Sequence, residues 1–317
     1  MRALITGITG FAGGFLAQVL LDRGDEVFGV SRWRRHGLEH LSREIVPLTT
    51  DLRDPSVVDN ILSDIRPDVI YHLAGQAFVP TAWADPWATI ESNIRPQLNI
   101  LQAMVQQKSQ ARLLVVASNQ VYGHIKPTDL PVTEETPLRP DNPYGVSKVA
   151  QDMLGLQYYL SHGLDIIRAR SFNHIGPRQN ASFVAASFAK QVAEIEAGLI
   201  PPRLNVGNLE AERDFTDVSD VVRAYALLAE HGQAGEAYNI GTGRAYSIQY
   251  ILDVLLRFSS TKIEVCQDQD RLRPSDVPAI YADNSKLKAT THWEPLYTLE
   301  ESLERILMYW REKIRSE

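Results

Sequence analysis

The sequence predicts an α/β fold, a doubly wound parallel sheet with a smaller mixed α/β lobe behind it. Three observations carry this. Short apolar runs alternate with amphipathic stretches through the first 170 residues. The runs are apolar on both faces, as strands covered by helices on each side must be. A glycine-spaced turn, Gly7-Ile8-Thr9-Gly10-Phe11-Ala12-Gly13, joins the first run to the first amphipathic stretch. Right-handed crossovers between such strands give a Rossmann-like sheet.

The elements follow in order. Residues 3–6 read as a buried strand, and 11–21 as a helix whose Phe11, Phe15, Leu16, Val19 and Leu20 recur at helical spacing. Strands are expected at 26–30 and 45–48, with Asp54 as a helix cap after the second. A strand at 69–73 leads to a helix over about 87–107, then a strand at 113–117, a helix over about 144–159 and a strand at 165–169. Past residue 170 proline and glycine become denser, as in Gly176-Pro177 and Pro201-Pro202, and charged loops such as 210–214 appear. Residues 1–170 are therefore assigned to a nucleotide-binding domain and 171–317 mainly to a substrate lobe. A helix at 218–230 lies in a return segment, about 214–245, that packs back on the first domain.

Bulk properties narrow the function. The chain has 317 residues, 44% apolar and 22% charged, which is ordinary for a globular protein. Its net charge of −7 argues against nucleic-acid binding. The single cysteine, Cys266, in an expected strand at 262–266, rules out an internal disulfide framework and suits a reducing, cytoplasmic setting. The N-terminal residues run straight into a strand without a leader-like apolar region, and no apolar run reaches membrane-spanning length. The eight histidines, His72 and His174 among them, show no ligand spacing, so no metal is expected.

The turn has the spacing G-x-x-G-x-x-G, with Gly7, Gly10 and Gly13 as its glycines and Thr9, Phe11 and Ala12 between them. Lying between a strand and a helix N-terminus, it suits a dinucleotide pyrophosphate. The second strand ends in Val30-Ser31-Arg32-Trp33-Arg34-Arg35, with no acid for ribose hydroxyls. Ser31 and Arg32 suit a 2′-phosphate, which favours NADP(H) and leaves NAD(H) possible. Asp51 and Leu52 could meet the adenine, and Leu73, Ala74 and Gly75 could let the cofactor lie close. Tyr144 and Lys148, four residues apart, share a helix face, where an ammonium would pull the phenol toward a neutral pKa.

Taken in order, the glycine turn, Asp51-Leu52, His72-Leu73-Ala74-Gly75, Ser118 and Tyr144/Lys148 resemble an extended short-chain dehydrogenase/reductase over essentially the whole chain. The resemblance implies a catalytic set of Ser118, Tyr144 and Lys148, with Tyr144 and Lys148 also touching the cofactor. The segments 170–178, 206–215 and 272–275 are similar to enzymes acting on GDP-linked deoxysugars. They imply substrate contacts from Ser118, Asn119 and Asn173, and a diphosphate grip from Arg213 and Arg273, with Arg178 as a further candidate. Family members commonly dimerise through two helices, here near 90–107 and 145–160, in a four-helix bundle. Ile94, Leu98, Leu101 and Val105 suit that face, and suit burial against the sheet equally well.

The dehydratases of this group carry a glutamate two residues after the catalytic hydroxyl. Here that position is Gln120, and an amide cannot act as the base. The chain then resembles the GDP-4-keto-6-deoxy-D-mannose reductase subfamily, which yields GDP-D-rhamnose. A nucleotide-sugar 4-epimerase using the same three residues stays open, as do a 4,6-dehydratase and a non-catalytic redox sensor.

Overall fold

The computed structural model describes residues 1–32, 45–268 and 277–316. At its centre is β1 (Arg2–Thr6), whose Ala3, Leu4 and Ile5 are almost wholly buried. On one side lie β2 (Glu26–Ser31) and then β3 (Ile45–Thr49). On the other lie β4 (Val69–His72), β5 (Arg112–Ser118), β6 (Ile166–Ser171) and β11 (Ala237–Ile240). All seven strands run parallel. The chain builds outward from β1 to β3, then returns to start β4 on the opposite side. The strand order therefore switches between β1 and β4, and a crevice opens at their C-terminal ends. β3 and β11 are the two edge strands. β3 tolerates Pro47, and its Val46 is exposed.

One face of the sheet is covered by α1 (Phe11–Asp22) and α7 (Val218–His231), whose Leu16, Leu20, Val221 and Tyr225 share a core with Ile5 and Tyr71. The other is covered by α2 (Pro55–Ile65), α4 (Pro86–Gln106) and α5 (Pro143–His162), with Leu62, Leu101 and Met104 packed on Leu4 and Ile70. The predicted cap forms: the Asp54 carboxylate accepts the Ser56 N–H at 2.9 Å. A short helix, α3 (Val79–Ala84), precedes α4 and was not expected from the sequence. Asp85 caps α4 immediately after it.

The second lobe is built around α6 (Val184–Glu196), α8 (Ile248–Arg257) and α10 (Leu299–Ser316), packed through Phe188, Leu252, Leu303 and Trp310. Small sheets edge it: β7 (Asn173–Ile175) with β10 (Phe215–Asp217), β8 (Arg203–Val206) with β13 (Glu264–Gln267), and β9 (Glu212–Arg213) between β12 (Tyr246–Ser247) and β14 (Ala279–Ile280). Cys266 lies in β13. The helix α9 (Ser285–Thr291) returns to the first lobe, where its Leu287 joins the core.

Two buried carboxylates organise the seams. Asp152, fully buried, lies on the face of α5 that carries Tyr144 and Lys148, one further turn along. It accepts from Arg168 Nη1 at 2.6 Å and from Arg170 Nε at 2.8 Å, both on β6. Burial works against the Arg170 charge, but Asp152 and the Tyr122 hydroxyl more than offset it and hold its pKa above the ordinary arginine value. Asp214, also fully buried, accepts from the backbone N–H groups of Thr242, Gly243 and Ala282.

Candidate active site

The crevice at the switch point is a groove lined by Gly7, Thr9, Gly10, Ser31, Arg32, Asp51, Leu52, Leu73, Ala74 and Gly75. Its floor depends on glycine. Gly7 has φ +74°, and a methyl group there would fall 2.8 Å from the backbone N and Cα of Ala74. Gly10 is the residue before α1, so the free N–H groups of the first turn open toward the groove. This backbone cradle fits the diphosphate of a dinucleotide. Phe11, Ala12 and Gly13, expected in the same site, form the first turn of α1 and offer it backbone N–H groups rather than side chains; Gly13 packs on the glycine turn, where a methyl group would fall 2.6 Å from the Gly7 carbonyl oxygen. The Phe11 ring instead stacks on His174 of β7, with centroids 5.8 Å apart and planes 10° apart, joining the turn to the second lobe.

At the adenosine end Arg32 does not stand alone. Arg53, which the sequence reading missed, lines the same groove and grips Asp51 through Nε at 3.0 Å and Nη2 at 2.6 Å. That hydrogen bond holds the Asp51 carboxyl below the ordinary range, with Arg32 adding to the effect. Two guanidinium groups and Ser31 therefore surround one compensated carboxylate, which suits a phosphorylated ribose. Arg34 and Arg35 lie outside the described residues.

Ser118, Tyr144 and Lys148 come together beyond Gly75. Ser118 ends β5, and the two others sit on the first turns of α5, all three largely buried. The Ser118 side chain lies close enough to the Tyr144 phenol to favour its ionised form, while its Oγ donates to Asn119 Oδ1 at 3.3 Å. Lys148 Nζ lies 5.9 Å from the Tyr144 ring centre and donates to the Val116 carbonyl at 2.8 Å. A methyl group on Gly75 would be 3.8 Å from Nζ, so the groove wall and the lysine are neighbours. The expected lowering of the tyrosine is not what this geometry gives. Burial pushes the Tyr144 phenol up to about 12, opposed by the neighbouring Ser118 hydroxyl. Burial also pushes Lys148 down to about 8. The phenol therefore holds its proton at neutral pH. Beneath it His72, bonded to Thr6 Oγ1 at 2.8 Å, is driven down to about 3 by burial, with the Lys148 charge adding to the effect.

The substrate candidates are only partly assembled. Asn119 Nδ2 donates to Asn173 Oδ1 at 3.3 Å, beside Ser118. Arg213 is turned to backbone carbonyls, those of Glu212 and Val277, from Nη1. Arg178, itself at φ +71°, lays its guanidinium on the Phe15 ring of α1 at 4.2 Å. Arg273 lies outside the described residues. Among the described residues no group of three or more His, Cys, Asp or Glu is placed to hold a metal ion.

Asn93 and Asn142 were also missed. Asn93 accepts the Gln76 N–H at 2.7 Å and donates to Ser147 Oγ at 2.9 Å, linking the groove wall to α5. Asn142 caps α5 by accepting the Gly145 N–H at 2.8 Å. A capping signal was present in Asn142-Pro143, three residues ahead of Gly145.

The family model described as GDP-mannose 4,6 dehydratase matches residues 4–306. The chain is 36% identical over 318 residues to the GDP-6-deoxy-D-mannose reductase of Pseudomonas aeruginosa, covering 100% of this chain and 99% of that one. The structure of RMD from Pseudomonas aeruginosa complexed with NADPH superposes with a TM-score of 0.85 at 34% identity, covering 99% and 100% of the two chains. A UDP-glucose 4-epimerase of Thermotoga maritima with UDP-glucose superposes with a TM-score of 0.90 at 28% identity, covering 99% and 100%.

Proposed function

Because the chain belongs to the GDP-mannose 4,6-dehydratase family, we propose that it is a reductive member, reducing the 4-keto group of GDP-4-keto-6-deoxy-D-mannose with NADPH to give GDP-D-rhamnose. The observation that carries this is Gln120. The place where a dehydratase needs a carboxylate holds an amide, and its oxygen is engaged by Asn142 Nδ2 at 2.9 Å. The full-length likeness to a reductase supports the same reading.

Bound in the groove, NADPH supplies hydride for the sugar C4. The chain's own residues manage the oxygen. Tyr144, kept neutral by burial, holds the proton that O4 must receive. Ser118, at the end of β5 beside that phenol, would turn its hydroxyl to the same oxygen as a donor, and preorganised donors of this kind lower barriers by about 3 kcal/mol. Lys148, a cation below about pH 8, offsets the phenolate left behind. Arg32 and Arg53 support NADP(H) over NAD(H). Asn119 and Asn173 would orient the sugar, with Arg213 and Arg273 near its diphosphate.

A homodimer through α4 and α5 is part of the proposal, with a revised face. Leu101 belongs to the core, whereas Val146, Met153 and Leu160 stand exposed along α5 at a spacing of seven, and Trp83 of α3 and Trp87 of α4 are exposed as well. A seam of that period suits helix-to-helix packing. Met153→Asp with Leu160→Asp should give monomers by light scattering. The one cysteine supports a reducing compartment such as the cytoplasm.

The decisive test supplies GDP-4-keto-6-deoxymannose and NADPH and identifies the product by NMR. NADPH consumption with a rhamnose product is expected, and Tyr144→Phe should abolish it while sparing NADPH binding. Interconverted sugars with a retained, unconsumed nucleotide would instead support the epimerase reading that the Thermotoga likeness favours.

A further inference from the structure

We propose that Gln120 is a positioning residue whose side chain ties the end of β5, carrying Ser118, to the cap of α5, carrying Tyr144, and so fixes the separation of these two groups. Gln120 sits in the middle of a 3-10 turn, Asn119–Val121, that follows β5 directly. Its own N–H donates to Ser118 Oγ at 3.2 Å. Its side-chain Oε1 accepts from Asn142 Nδ2. Its backbone carbonyl underlies α5, because a methyl group on Gly145 would fall 2.6 Å from that oxygen.

The orientation of the tie is dictated rather than chosen. Asn142 must present Oδ1 to the Gly145 N–H to cap the helix. Its NH2 group then faces away from the helix, and it reaches Gln120 and the Asp141 carboxylate, each at 2.9 Å. Gln120 must in turn present its oxygen. Three bonds therefore run unbroken from Ser118 to the first turn of α5: Ser118 Oγ to the Gln120 backbone, the Gln120 side chain to Asn142, and Asn142 to Gly145. Tyr144 lies within that turn. Asn142 is buried, and its capping bond to Gly145 lies wholly inside the fold, while the two bonds of Gln120 are half-buried.

What is positioned depends on the reductase reading above, but the tie itself can be measured without it. Amide exchange by mass spectrometry over 143–148 should be ~5-fold faster in Gln120→Ala than in wild type, the scale for losing one neutral hydrogen bond. Asn142→Ser keeps a capping oxygen but has no amide to offer Gln120. It should loosen the turn equally, and the double variant should be no looser than either single one. Gln120→Glu, whose carboxylate can accept the same bond, should restore protection. In turnover, Gln120→Ala should lower kcat ~10-fold or more with unchanged NADPH affinity and melting temperature, as misplacement of reacting groups does. Wild-type exchange in Gln120→Ala, additive loosening in the double variant, an unprotected Gln120→Glu or an unchanged kcat would each overturn the proposal. If wild type consumes no NADPH with the keto sugar, the reduction reading fails, and the exchange data still decide the tie.

Discussion

Lys148→Met should make the protein more stable and less active, and the gain should disappear with rising pH. Lys148 is buried, and burial lowers its pKa from 10.5 to about 8. At ~1.4 kcal/mol per pH unit, keeping the ammonium inside the fold costs roughly 3 kcal/mol relative to the neutral amine. Methionine fills similar space without that cost, but leaves the Val116 carbonyl without its lysine donor, a loss of about 1 kcal/mol. A net gain of about 2 kcal/mol is therefore expected below pH 8. The sign with pH follows from linkage. Between about 8 and 10.5 the unfolded chain holds the lysine proton and the folded chain does not, so wild-type stability climbs through that window. The variant has no such proton, so its advantage should shrink and reverse by about pH 10.5. Urea unfolding at pH 6.5, 8.5 and 10 would show this as a narrowing gap between midpoints. A gap independent of pH, or a variant less stable at pH 6.5, would refute the reasoning that Lys148 is held charged at the expense of the fold. Reductase activity should fall in the same variant, a trade expected of a site residue.

Other perturbations test separate parts of the structure. Gly7→Ala forces a side chain into a left-handed backbone and against Ala74, and should cost ~1–3 kcal/mol in chemical denaturation while weakening NADPH binding in fluorescence titration. Arg53→Ala should weaken NADPH ~10-fold and leave NADH unchanged, since only the phosphorylated ribose gains from a second guanidinium; equal losses for both nucleotides would show that Arg53 serves the adenosine generally. Asp152→Ala leaves two arginines buried without their carboxylate and should destabilise by ~3–5 kcal/mol in urea, so an effect under 1 kcal/mol would mean the cluster is better hydrated than its burial implies.

The parallel sheet was readable because its strands are apolar on both faces and its helices carry a periodic stripe. Every strand expected before residue 170 falls within a residue or two of its place. The second lobe was not readable element by element. Its strands are two to four residues long, as in Glu212–Arg213 and Tyr246–Ser247, too short for alternation to register. The site divides similarly. The glycine turn and Tyr144/Lys148 are local patterns, and spacing finds them. Arg53 entered the groove only because β3 lies beside β2, and Asn93 meets Ser147 across two helices, neighbours that only the fold creates. The acidity of Tyr144 was misjudged for a related reason. Spacing placed a lysine nearby, but burial, which spacing does not report, dominates the phenol.

Asp214 has a mechanical consequence. The chain passes between the lobes at 171–173, at 217–218, between Ile240 and Tyr246, between Ile280 and Ser285, and between Trp293 and Leu299. Asp214 lies just before one of these passages and bonds backbone within two others, at Thr242 and Gly243 and at Ala282. A joint crossed this often and pinned at one buried carboxylate resists hinging, because any rotation of one lobe against the other must strain several chain passages and the bonds of Asp214 together.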